Sequence, residues 1–136
     1  MSEENVEIVR LHIDAWRAEE ATRALSFLDP HIVMDLSRTG GAGVAEGSFY
    51  GPDAISDHFR RYAGTFEEYQ WEIDRLTDLG AGAVLVIVTE SGRGKGSGVS
   101  VDRPLAVLYT LVDRKIVRIT FFRDEQEALE AAGLQE

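Results

Sequence analysis

Cysteine is absent from the 136 residues, so disulfides, thiolate nucleophiles and cysteine zinc sites are excluded together. Histidine is scarce. His12, His31 and His58 fall on separate elements without a paired spacing such as H-x-x-x-H, so no metal site is expected. Long apolar runs are missing too: Ala81 to Thr89, the longest, contains a glycine and is of strand length, against the roughly 20 residues a membrane span needs. Basic residues are outnumbered, 14 Lys plus Arg against 24 Asp plus Glu. The resulting net charge of −10 repels phosphate backbones, and no basic stripe reverses it locally, which argues against nucleic acid. The opening MSEENVEIVR carries acids where a secretory leader would be basic, so a cytoplasmic location is expected. Ser91 to Ser100 (SGRGKGSGVS) is rich in glycine, but it lacks the phosphate-loop spacing and leads into a strand. It is a hairpin connection, and no cofactor is expected.

What remains is patterned. Glu3 to Glu19 has helical periodicity, with Val6, Val9, Ile13 and Trp16 on one stripe and His12 inside the apolar arc, packed at the margin of the core. A short helix follows near Ala21 to Leu28, stopped by Asp29-Pro30, then a strand from His31 to Ser37. Ile32, Met34 and Leu36 share one face of that strand. Arg38 to Ser48 is a glycine-rich loop, either a lid or slack. Pro52 opens a third helix, Asp53 to Ala63, whose inner stripe is Ile55, Phe59 and Tyr62 with His58 beside it. Tyr69 to Leu79 alternates strictly, placing Tyr69, Trp71, Ile73 and Arg75 together. Ala81 to Ser91 is apolar on both faces at its centre, which calls for cover on both sides of the sheet. Short helices cover one face, so a homodimer through the other is expected. The longest signal is a hairpin from Val99 to Phe122, broken at Asp113-Arg114. A final helix, Asp124 to Ala132, carries a capping box of Asp124 and Glu127. This order predicts a single α+β domain over residues 1–136, with helices gathered on one side of a mostly antiparallel sheet.

The segments ENVEIVR, LDPHIVMD, YGPDAI, GRGKGSGV, KIVRI and EALEAAGL occur in an order that resembles the SnoaL-like proteins of the nuclear-transport-factor-2-like superfamily. The resemblance covers essentially the whole chain. It implies a cone: a strongly curved sheet around a central pocket that the N-terminal helices close. It also implies a range of activities, since such proteins include polyketide cyclases, ketosteroid isomerases, epoxide hydrolases and binding proteins without chemistry, and fold alone does not choose among them.

A two-residue turn at Asp113-Arg114 pairs Val112 with Lys115 and puts Ala106, Leu108, Thr110, Val117, Ile119 and Phe121 on one face. That face is the more apolar and is assigned to the pocket, with Arg123 at its rim. Tyr109 and Arg118 then stack on the far side. Phe121 stands where the resemblance places a cyclase's last-strand acid, which counts against a cyclase mechanism. Asp35 is taken as the remaining inner-wall acid and candidate general base, with His58 as a second proton carrier near neutral pH. Trp16, Phe59 and Trp71 are the ring walls expected to hold a small lipophilic molecule, together with Leu108, Thr110, Ile119, Phe121 and Arg123. Three functions compete: a cofactor-independent isomerase, cyclase or hydrolase; a non-catalytic ligand-binding protein; and a dimeric interaction module with a filled pocket.

Overall fold

The computed structural model describes residues 2–37 and 47–133. Helix α1 (Ser2–Arg17) buries Val9 and Ile13 as its periodicity requires, and α2 (Ala21–Leu25) follows after Glu19, whose φ of 59° ends the first helix. Strand β1 (Leu28–Asp35) begins earlier than expected. Asp29-Pro30 therefore lies inside the strand rather than at the end of a helix, and it coincides with an irregularity in β1's pairing with the last strand. Pro30 is exposed there, where a missing N–H is tolerated. Of the expected loop, residues 38–46 lie outside the described residues, and its end forms a short strand β2 (Ser48–Tyr50). Gly51, at φ 88°, turns the chain into α3 (Pro52–Ala63). The long strands β3 (Phe66–Gly80), β4 (Ala83–Gly94), β5 (Ser100–Val112) and β6 (Lys115–Phe122) follow, then α4 (Glu125–Ala131). Asp124 caps α4 by accepting from the Glu127 backbone N–H at 2.9 Å.

The six strands form one curved, unclosed sheet in the order β2-β1-β6-β5-β4-β3. β1 runs parallel to β6, and the other neighbours are antiparallel. Helices and strands thus make an α+β fold. Val86, Val107, Tyr109 and Ile119 of the sheet bury against Val9 and Ile13 of α1 and Ile55 of α3 in the main core. On the outer face Leu85, Ala106 and Phe122 pack under Ala128 and Leu129 of α4. The chain therefore covers part of the outer face of β4 with its own last helix.

The β5–β6 hairpin has the two-residue turn expected from the sequence: Val112 pairs with Lys115, and Asp113 and Arg114 both have positive φ, 50° and 69°. Its faces differ from the expectation. Leu111 pairs with Ile116, but Thr110 pairs with Arg118, so Val117 is an extra residue bulged out of the ladder. One extra residue reverses the parity of β5 relative to β6. Val107 now opposes Phe121 and Tyr109 opposes Ile119 on the concave face, whereas Leu108 joins the outer cluster and Thr110 pairs with Arg118 on that side. Tyr109 and Arg118 are thus on opposite faces and do not stack. A similar irregularity between Ile73 and Arg75 of β3 sends Arg75 outward to an ion pair with Glu125 and brings Leu76 into the main core.

Replacing Arg114 by glycine should relieve the positive-φ penalty at the turn and raise stability by about 0.5–1 kcal/mol in urea denaturation. The exposed Arg114–Glu4 pair lost in the exchange contributes little. An unchanged or lower midpoint would show that the turn is not strained.

Candidate functional site

Where α3 crosses the concave face, a slot opens between His58, Phe59 and Tyr62 of the helix and Tyr69, Trp71, Glu90, Leu105 and Phe121 of the sheet, with Leu36 at its side. Strand periodicity delivers these residues. Tyr69 and Trp71 are two apart on β3, and Glu90 continues the inward series Val84, Val86 and Val88 on β4. Arg103 is Glu90's cross-strand partner on β5 and precedes inward-facing Leu105 and Val107 by two and four positions.

Glu90 is the unusual member. It is 1 % exposed, and an ionised carboxylate at such depth costs several kcal/mol unless its oxygens are satisfied. Here they are. The Tyr69 hydroxyl donates to Oε2 at 2.5 Å, and Arg103 Nε donates to Oε1 at 2.9 Å. Trp71 Nε1–H donates to the Tyr69 oxygen at 2.8 Å, which turns the phenol's own proton towards Glu90. Arg103 Nη2 also approaches the Tyr62 hydroxyl at 3.4 Å. Among the described residues no buried side-chain polar atom lacks a partner.

Burial, reinforced by the Glu90 charge, raises the pKa of Tyr69 far above that of a free phenol and pushes that of Tyr62 up to about 12. Both remain neutral hydrogen-bonding groups across the physiological range. Burial lowers the pKa of His58, so its imidazole is predominantly neutral at pH 7 and presents one donor and one acceptor nitrogen. Phe49 stacks on His58 at 4.4 Å. Phe59, Trp71 and Phe121 meet one another at centroid distances of 5.9–6.3 Å and interplanar angles of 50–85°. Together these rings nearly fill the slot, leaving about 10 Å³, the space of a single water.

The slot thus holds a carboxylate, two neutral phenols and an imidazole within an apolar frame, a set able to bind one polar group and move a proton to or from it. Among the described residues no group of three or more His, Asp or Glu side chains is placed to hold a metal ion. No described helix is long and apolar enough to cross a membrane.

The family model of the SnoaL-like domain matches residues 9–119, most of the chain. The chain belongs to the SnoaL-like family. Among solved structures, an NTF2-like protein from Burkholderia thailandensis is 25 % identical with a TM-score of 0.78, the match covering 97 % of this chain and 98 % of that one. TerC, co-crystallised with polyporic acid, is 16 % identical with a TM-score of 0.75, over 96 % and 97 % of the two chains. A protein with a ketosteroid isomerase-like fold from Catenulispora acidiphila, crystallised with trimethylamine, is 17 % identical with a TM-score of 0.72, over 95 % and 94 %. No curated protein matches the chain. These structures share the fold, and two of them were crystallised with chemically opposite molecules, so any ligand preference of this SnoaL-like chain has to come from its own residues.

Of the residues expected at the site, His58, Phe59, Trp71 and Phe121 line the slot. Trp16 does not. Its indole N–H donates to His12 at 3.1 Å, and its ring supports Phe59 from behind at 5.5 Å. Ile119 is buried in the main core but is not among the lining residues. Leu108 and Thr110 are on the outer side for the reason given by the Val117 bulge. Arg123 is exposed and paired with Glu127 of α4 at 2.9 Å, away from the slot rather than at its rim.

Asp35 requires the largest correction. It alternates with Met34 and Leu36, which face inward, and it lies beside Thr120 and is bonded by Arg118 Nη2 at 3.2 Å on the opposite face of the sheet. Ser37 donates to it through both its backbone N–H and its hydroxyl. Asp35 therefore ties the end of β1 to β6 and does not enter the slot. The inward acid is Glu90. Its signal was present in the even-numbered series from Val84, with an arginine directly opposite once β4 and β5 are paired.

Proposed function

We propose that this SnoaL-like chain binds a small, mainly apolar molecule in the slot between α3 and the concave sheet and acts on it by cofactor-independent proton transfer, as an isomerase or hydrolase would. Glu90 is the proton acceptor, held in place by the Tyr69 hydroxyl that donates to it, and His58 is the second acid–base group across the slot. The observation that carries this reading is the fully buried Glu90, held by Tyr69 and Arg103 against an aromatic wall. A core needs no such charge, because apolar residues of similar volume usually stabilise a fold at least as well. Phe121, at the position where the resemblance implies a cyclase's last-strand acid, lines the slot, which argues against a cyclase-type mechanism.

A thermal-shift panel of steroids, aromatic polyketide-like compounds and terpenoid epoxides tests binding, and turnover of any compound that stabilises the protein tests chemistry. Glu90→Gln is expected to lower that turnover by at least about a hundredfold while the fold persists. Unchanged turnover would remove Glu90 from the mechanism.

The small free volume favours a second reading, an interaction module whose interior is packed with its own rings. Its working surface would be the outer face, where Leu79, Ile87 and Leu108 are partly buried beside α4 and a second copy of the chain could dock. A panel without a single response, together with a dimer by light scattering at micromolar concentration, would favour that module over a ligand site.

A further inference from the structure

The polar groups that face the slot, taken as a ligand site on the reading above, also select the charge of what it holds. Among the described residues, no lysine or arginine lines it. Arg103 grips Glu90 from outside the lining set, where its side chain is 27 % exposed. The donors inside are committed: the Tyr69 hydroxyl to Glu90 and the Trp71 indole N–H to Tyr69, while the Tyr62 hydroxyl is bonded to Arg103 and to Glu90. His58 is neutral and supplies one donor at most. An anion or a carbonyl entering the slot would find few hydrogen-bond donors.

A cation would find the reverse. Phe59, Trp71 and Phe121 stand around the space at steep angles to one another, as walls rather than a stack, with the phenols Tyr62 and Tyr69 and the Glu90 carboxylate at the base. Ring faces carry negative potential, and enclosure away from water strengthens their attraction for a positive charge. The chain's net charge of −10 adds a long-range pull of the same sign. With free volume near 10 Å³ the guest has to be small, and the lining rings have to part to admit it. Methyl groups on the cation weaken its hydration and match the apolar walls.

We propose that the slot is an aromatic cage for a small methylated ammonium head group, with Phe59, Trp71 and Phe121 as the walls and the Arg103-paired Glu90 carboxylate at the base.

Three probes of nearly equal shape test this: choline, its uncharged carbon isostere 3,3-dimethylbutan-1-ol, and trimethylacetate, each titrated calorimetrically into the full chain at low and high salt. Choline is expected to bind at least about tenfold tighter than the isostere, with the advantage shrinking as salt rises. Glu90→Gln should remove most of that advantage while leaving the isostere's binding in place, which also shows that the variant slot is folded. Trp71→Leu should weaken choline further. Equal binding of choline and isostere, or a preference for trimethylacetate through Arg103, would overturn the proposal. If none of the three binds but a compound of the lipophilic panel does, the cation proposal falls and the ligand site stands. If neither set gives a response, both fall.

Discussion

Exchanging Arg103 for methionine is expected to cost about 3 kcal/mol of unfolding free energy, because it strands the Glu90 carboxylate in the interior. The guanidinium is the only cation bonded to that carboxylate among the described contacts, at 2.9 Å. Arg103's own side chain is 27 % exposed, so the loss should lie at the low end of the range for breaking a buried pair. Adding Glu90→Gln to Arg103→Met should recover most of the loss, since glutamine still offers Tyr69 an acceptor oxygen and no longer carries a charge. Urea denaturation of the four proteins in the cycle measures the coupling directly. Equal and additive losses would mean that Glu90 finds its compensation elsewhere.

A second large effect concerns His12. It is 1 % exposed in the joint between α1 and α2, where Nδ1–H donates to the Ala24 carbonyl at 2.9 Å and Nε2 accepts from Trp16. Burial lowers its pKa from 6.5 to about 4, outweighing the opposing bond to Ala24. Above pH 6.5 the imidazole is neutral in both folded and unfolded chains, and the full stability is present. Between pH 6.5 and 4 the unfolded chain takes up a proton that the folded chain refuses, so stability falls as pH falls, and it levels off below about 4. The total is about 3 kcal/mol for a shift of this size. His58, whose pKa is also lowered by burial, adds in the same direction. Unfolding free energies at pH 7 and 4.5 should therefore differ by clearly more in the parent than in His12→Gln, which cannot titrate. An equal pH dependence in the two proteins would assign the effect to the carboxylates instead.

Much of this architecture is legible in the sequence because periodicity survives packing. The Val9–Ile13 stripe, the Ile55–Phe59–Tyr62 stripe and the Asp113-Arg114 turn follow directly from residue spacing and turn chemistry. What could not be read was the place where spacing slips. No glycine or proline marks the bulge at Val117 or the irregularity after Ile73, yet each reverses the faces beyond it, exchanging Leu108 for Val107 in one strand and Arg75 for Leu76 in the other. Strand β2, at three residues, is too short to show any period.

The site was half visible for a related reason. His58, Phe59, Trp71 and Phe121 are carried by strong patterns. Glu90 stands next to Ser91-Gly92-Arg93-Gly94, a glycine-rich run that reads as the start of a loop. In the structure β4 continues to Gly94, and Glu90 is interior. Asp35 misled in the opposite sense. Its parity with Val33 already set it against Ile32, Met34 and Leu36, and placing it in the pocket went against that alternation.

On the proposed reading, the chain carries its buried charge for a ligand and not for the fold. The Glu90→Gln/Arg103→Met pair tests it most directly, by thermal shift against every compound that stabilises the parent. On that reading the paired variant melts close to the parent and loses most of the shift given by compounds that carry a positive charge or a transferable proton. A variant that keeps the parent's ligand response would contradict it, and would show that Glu90 and Arg103 only hold β4 and β5 together.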